Sequence, residues 1–278
     1  MEQLDSKEYY KKLNQPFIYF LLSIFKLHDI IEASCIGLKQ AKETPRIMEY
    51  LHKIENSTLD IEELTKEPKR IADVACEEID AGFPFLYSQS LLMMYANLEN
   101  TVKTLIIEYF RNNKMTDFDD GKGKKINLIV QNTEDVDVIE YTFKEYENKI
   151  IKNRTLGYGI ERFEALLQPI GFSGDVDLVL VKDIHELNQI RNTIVHRASI
   201  ADAHFIAKCP DLGYKIGDMI AIDCVDYEKY YCAIGNYVLE ITRRLGKEMG
   251  CDITKLNEAK MKFPKTYFKA YAVPKDIS

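Results

Sequence analysis

A chain of 278 residues falls between one large domain and two small ones. With 46% hydrophobic and 29% charged residues it has the composition of a folded globular protein, which argues against disorder. A net charge of −7 repels polyanions and weighs against nonspecific coating of nucleic acid, so any nucleic-acid role needs a local cationic site.

The first region, about 1–82, reads as helices separated by Pro16, Pro45 and Pro68. From Pro16 to about Lys42 the pattern is helical and strongly apolar. Its longest apolar stretch, Phe17 to Phe25 with Ser23 inside, is closed by Lys26 and is shorter than the roughly 20 residues of a membrane span. No basic leader precedes it and no small-residue cleavage site follows, so no secretory signal is expected. Asp60–Leu64 and Arg70–Ala75 suggest two shorter helices, and Gly82-Phe83-Pro84 then breaks the chain.

A long helix is expected over Leu86–Arg111, ending in Asn112-Asn113 and a polar loop, Asp117–Lys125. That loop has no phosphate-loop signature, and Gly157-Tyr158-Gly159 is too short for a dinucleotide site. Ile126–Val130 reads as a strand, and Tyr141–Ile151 fits a helix or a strand. Residues 113–157 are therefore an insertion, a small α/β piece or hairpin. Ile160–Gln168 is helical and ends at Pro169 and Gly171. Asp183 followed by Glu186 resembles a capping box, which starts a helix at 183 that runs to about Ala201. Met219–Asp223 reads as a short strand, Asp226–Met249 as the last strong helix, and 254–278 as an irregular arm. Six scattered cysteines with no C-x-x-C pair read as reduced, buried thiols, and with no span or signal the expected location is cytoplasmic.

On a wheel at about 100° per residue, Ile184, Leu187, Ile190, Ile194 and Ala198 form a core-facing stripe of the helix at 183–201. His185, Gln189, Asn192 and His196 gather on another side, spaced so that Asn192 and His196 are surface neighbours. Arg191 lies at the edge of the apolar stripe, nearly half a turn from His196. A cation there needs a partner, because an unpaired buried charge is costly. On the 86–111 helix, Leu92, Val102, Ile106 and Phe110 define an apolar face. Glu99 is the carboxylate within that face, Lys103 flanks it, and Tyr95 lies one turn earlier on the same side. Glu99 and Arg191 are thus expected to pair between packed helices.

Arg191-Asn192-Thr193-Ile194-Val195-His196 resembles the Arg-x(4–6)-His motif of HEPN domains, including the polar residue after the arginine. Leu187–Ile190 and Tyr95–Glu99 resemble HEPN helices as well, and the similarity spans about 86–249, broken by the insertion. The resemblance implies a mainly α, up-down bundle of four to five helices with extra N-terminal helices. The parsing is then 1–82 as an N-terminal helical region, 83–250 as the HEPN-like domain with its insertion at about 113–157, and 251–278 as a C-terminal arm. It also implies a homodimer whose two motifs face each other, each arginine serving the other chain's histidine. The implied activity is metal-independent, cofactor-free endoribonuclease cleavage of RNA. Its implied setting is prokaryotic defence or growth arrest, in toxin–antitoxin, abortive-infection or other antiviral systems, with an antitoxin or sensor protein as a further partner. Catalysis would fall to Arg191, Asn192 and His196 with support from Glu99, and substrate binding to Gln189, Lys103 and Tyr95. Ala198 stands where some HEPN toxins carry a tyrosine that their nucleotidyltransferase partners modify, so no such modification is expected.

Plainer readings stand beside these. His196 alone reads as an ordinary helix histidine, Glu99 as a structural ion-pair partner, Tyr95 as core, and His185 and Gln189 as a solvated face. His28, His52 and His204 have no evident partners. Arg243-Arg244 with Lys247, or Lys149, Lys152 and Arg154, could supply a basic patch for RNA. The alternative to an enzyme is a non-catalytic helical module that binds RNA or a protein, and a third reading is a helical scaffold with an accidental motif.

Overall fold

A computed structural model describes residues 6–55, 58–113, 117–119, 125–127, 135–152, 154 and 159–262. The described residues are mainly helical. In chain order they form α1 (Ser6–Ile54), α2 (Ile61–Asp80), α3 (Pro84–Asn113), β1 (Asp117–Asp119), β2 (Lys125–Asn127), α4 (Val136–Ile151), α5 (Gly159–Leu167), α6 (Leu178–Arg197), α7 (Ala203–Lys208), α8 (Cys224–Glu248) and α9 (Thr254–Glu258). Short 3₁₀ turns follow α5 at Gln168–Ile170 and α7 at Pro210–Leu212. Among these helices none is long and apolar enough to cross a membrane.

The prolines of the first region do not separate helices. Pro16 and Pro45 both lie inside α1, and Pro68 lies inside α2, which joins the two expected short helices into one. An interior proline costs about 3 kcal/mol. Around Pro16 that cost is offset by the burial of Leu13, Phe17, Phe20 and Ile24, each worth about 1.5–3 kcal/mol. The expected break at Gly82-Phe83 is real. Both residues have positive φ, and the Glu78 carboxylate accepts the N–H groups of Phe85 and Leu86 to cap the start of α3.

The helices α3, α5 and α8 follow the sequence expectation closely. β1 and β2 pair antiparallel with Asp117 opposite Asn127, so the insertion does contain a small hairpin. Residues 128–130 of the expected strand lie outside the described residues. Tyr141–Ile151 is helical, as most of α4, whose N-cap Asp135 accepts from Asp137 and Val138. Met219–Asp223 is not a strand. It makes a single antiparallel bridge, Ile200 to Met219, and then enters α8. The start of the expected irregular arm holds the short helix α9, and residues 263–278 lie outside the described part.

The contacts divide into two compact units. The first draws on Met1–Ile24, Leu92–Ile220 and Lys229–Phe263. Its core combines Leu98, Val102, Leu105, Ile106 and Phe110 of α3 with Ile139 and Tyr146 of α4, Phe163 and Leu167 of α5, and Tyr231, Ile234 and Val238 of α8. Tyr146 packs edge-on against Phe110 and donates to the Leu166 carbonyl at 2.6 Å, so its hydroxyl is buried with a partner. Glu164 joins its own helix, α5, to two other stretches of chain. Arg244 of α8 donates to both its oxygens at 2.9 and 3.0 Å, Tyr237 donates at 2.8 Å, and the Gly174 N–H donates at 2.9 Å.

Among the described residues the second unit draws on Phe25–Leu91 and Ala221–Glu228. In it Tyr87 stacks on Tyr227 at 4.9 Å, and the Tyr227 and Ser90 hydroxyls are 2.8 Å apart. Burial pushes the Tyr227 hydroxyl up to about 12. The six cysteines are free, two buried and four partly so. Burial pushes the Cys35 and Cys209 thiols up to about 12, which keeps them protonated and unreactive at neutral pH.

Candidate functional site around Arg191, Glu99 and His196

α6 begins at Leu178, earlier than the capping-box reading places it, because Asp177 is the N-cap and accepts from Val179 at 2.8 Å. Asp183 and Glu186 therefore lie inside the helix, where their spacing puts both on one side. There they hold Lys229 of α8, at 3.4 Å from Asp183 and 2.5 Å from Glu186. Glu186 is only 4% exposed, and Tyr230 also donates to it at 3.4 Å. The same Asp-x-x-Glu pattern serves a cap or an interhelical ion pair, and the sequence does not separate the two.

The apolar stripe is correct for Ile184, Leu187 and Ile190, which are buried. Ile194 is half-buried, and Ala198 lies beyond the helix end, exposed. His185 does not belong to a solvated face. It is buried, with the Gly159 N–H donating to Nδ1 at 3.4 Å and Nε2 at 3.3 Å from the Lys208 carbonyl. An Nδ1 that accepts leaves Nε2 to carry the proton, so the ring is neutral. Burial pulls its pKa below the usual histidine value, only partly opposed by the Lys208 carbonyl.

Glu99 and Arg191 do meet, Nη2 to Oε2 at 3.7 Å, each side chain 31% exposed. Arg191 also donates to the Asn192 side-chain oxygen at 3.0 Å and lies 5.9 Å from the centre of the Tyr95 ring. Three neighbours thus fix the guanidinium: a carboxylate, an amide and an aromatic face. Tyr95 is buried against Phe163, so what it offers is a ring face beneath Arg191 and not a solvent-facing group. Burial, with nearby Glu99, raises its hydroxyl pKa. Gln189 is half-buried, and its backbone carbonyl accepts from Thr193. Lys103 pairs with Glu140 at 2.5 Å and lies 5.7 Å from the centre of the Phe143 ring.

Arg162 of α5 is a second guanidinium on Glu99, closer than Arg191 at 3.3 Å, and its other end meets Glu147 of α4 at 2.6 Å. The sequence reading picks out neither Arg162 nor Glu147. A signal for the first exists: Ile160, Phe163, Leu166 and Leu167 are the buried face of α5, which leaves Arg162 on its flank. Choosing Glu99 as its partner, however, needs the tertiary arrangement.

His196 is exposed near the end of α6, and no hydrogen bond or ion pair joins it to Arg191 among the described residues. α6 stops at Arg197, one residue after His196 and short of the expected end at Ala201, because Ala198 and Ser199 both take left-handed backbone at φ 50° and 63°. The Thr193 carbonyl accepts from both Ala198 and Ser199, which closes the helix. Beyond it, Ile220 donates to the Ser199 carbonyl at 2.8 Å and the Ala201 N–H donates to the Asp218 carbonyl at 2.9 Å, so the segment after His196 is pinned to residues 217–220. Non-glycine residues in left-handed backbone store strain, which the surrounding hydrogen bonds must hold.

Four cations of the expected basic patches, Arg243, Arg244, Lys149 and Arg154, are tied into ion pairs and hydrogen bonds. Arg244 is 12% exposed and bound to Glu164, and Arg243 donates to Glu240 and to the Leu256 and Ala259 carbonyls. Lys149 is 3.8 Å from Glu145, and Arg154 donates to Gln168 at 3.0 Å. His52, expected to lack a partner, has Nε2 at 2.8 Å from the Leu59 carbonyl. Comparison with protein-family models, with curated proteins and with solved structures finds no match.

Proposed function

We propose that this protein is a HEPN-type endoribonuclease, a cytoplasmic homodimer in which the Arg191 of one chain and the His196 of the other act on one phosphodiester. The observation that carries the proposal is the contrast within α6: Arg191 is half-buried and held by Glu99, Asn192 and Tyr95, while His196 is exposed at the strained helix end. A fixed guanidinium suits charge stabilisation, and an accessible imidazole suits proton transfer.

RNA brings its own nucleophile. His196 takes the proton of the 2′-hydroxyl, whose oxygen attacks the adjacent phosphorus. Arg191 neutralises the charge that builds on the non-bridging oxygens. The bond to the 5′-oxygen breaks, and that oxygen takes a proton from a His196 imidazolium or from water, leaving a 2′,3′-cyclic phosphate and a 5′-hydroxyl. No step requires a metal ion or a cofactor. The setting in prokaryotic defence or growth arrest, restrained by an antitoxin or sensor, follows from the same resemblance.

The test compares wild type and His196→Ala on total RNA with chelator present. Wild type should cut, with cyclic phosphate ends, and the variant should be slower by about 10²–10⁴-fold. Equal cleavage by both would remove His196 from the chemistry. A second reading, a non-catalytic helical module for RNA or a protein, draws on the fact that Arg191 already has partners within its own chain. RNA left intact by wild type favours that reading.

A further inference from the structure

Beside the Glu99–Arg191 pair, α3, α4 and α5 enclose a groove of 360 Å³. That volume lies within the range of small-molecule sites, about 300–1,000 Å³. Its lining includes Glu99, Asn100, Lys103, Phe143, Lys144 and Arg162. The carboxylates near it are engaged: Glu99 and Glu147 with Arg162, and Glu140 with Lys103. Lys144 is exposed, and among the described residues no carboxylate pairs with it. The lining cations Lys103, Lys144 and Arg162 outnumber the lining carboxylates Glu99 and Glu147 by one, and adding the adjoining Arg191 and Glu140 leaves that excess unchanged. Lys144 is therefore the one lining cation that these carboxylates leave uncompensated, in a chain whose net charge is −7.

We infer that this groove holds the nucleotide next to the scissile phosphate of a single-stranded RNA. Lys144 meets backbone phosphate, Asn100 offers both a donor and an acceptor to a base edge, and Phe143 gives the groove an apolar wall. Glu99 is common to the groove and to the Arg191 pair, which sets the groove beside the proposed chemistry. The substrate class rests on the ribonuclease reading; the groove and its charge do not.

The test uses the full chain and a short single-stranded 2′-O-methyl oligonucleotide, which has no free 2′-hydroxyl and so cannot be cut. Lys144→Glu changes an exposed side chain and should leave the fold intact, which circular dichroism checks. Its affinity for the oligonucleotide should fall about tenfold at low salt, and the slope of log affinity against log salt should drop by about 0.7. In the cleavage assay KM should rise with kcat little changed. Affinity and slope equal to wild type would overturn the inference, as would a wild type that does not bind the oligonucleotide. Mononucleotides that bind as tightly as the strand would overturn the RNA assignment. Binding that weakens in Lys144→Glu without any cleavage by wild type would keep the groove and remove the ribonuclease reading. Cleavage with an unchanged KM in the variant would do the reverse.

Discussion

Ala198 carries a left-handed backbone that glycine adopts without steric strain, and Ser199 repeats it. Relief of about 1–2 kcal/mol of strain outweighs the extra chain entropy of a glycine, about 0.4–1 kcal/mol. Ala198→Gly should therefore stabilise the protein by about 0.5–1 kcal/mol, read from urea unfolding midpoints. A lower midpoint would show that the methyl group contributes packing that outweighs the strain. The same two residues explain why the sequence pattern overruns the helix: no glycine marks the end, so the periodicity continues to Ala201. The Glu99–Arg191 contact is legible in the sequence, because a carboxylate inside one apolar face and a guanidinium at the edge of another need each other. Arg162 is not, since a flanking cation has many available partners until the helices are packed. His185 escapes for a related reason. Periodicity reports which side of a helix a residue occupies, and a polar side can still be covered by α7 and the start of α5.

Between helices and their neighbours, α8 shows how glycine serves close approach. A Cβ built at Gly246 would stand 2.6 Å from Ile253 Cγ2, and one at Gly235 would stand 2.5 Å from Met261 Cγ. The segment at 251–262 is held there also by Arg243, and by Asn236, which accepts from the Met261 N–H at 2.8 Å. In an open helix Gly→Ala gains about 1 kcal/mol. Gly246→Ala should show no such gain and should make the 251–262 segment easier to cut in limited proteolysis. A more stable, equally resistant variant would contradict this packing. The helices with clear apolar faces, α3, α5 and α8, are readable from the sequence. The prolines of α1 and α2 mislead, because local propensity is outweighed wherever enough apolar surface is buried around it.

Global stability carries a pH dependence. Each unit contains a buried histidine, His28 in one and His185 in the other, and burial lowers the pKa of both. Below the ordinary value near 6.5 the unfolded chain takes up protons that the folded chain resists. Their contribution to stability is therefore complete above that value and is lost as pH falls toward the lowered folded values. The urea midpoint should drop as pH falls below the ordinary histidine value, and His185→Gln should flatten part of that drop. Parallel pH profiles for the variant and wild type would rule His185 out as a source.

Glu164 has a kinetic corollary. Its partners come from Gly174 on one side and from Tyr237 and Arg244, more than seventy residues away, on the other. A carboxylate that is complete only when such distant stretches have arrived stabilises none of them early, while the entropy of closing the long loop is lost first. That convergence point thus tightens late on the way to the native state, and on the way out its loosening releases three stretches of chain together.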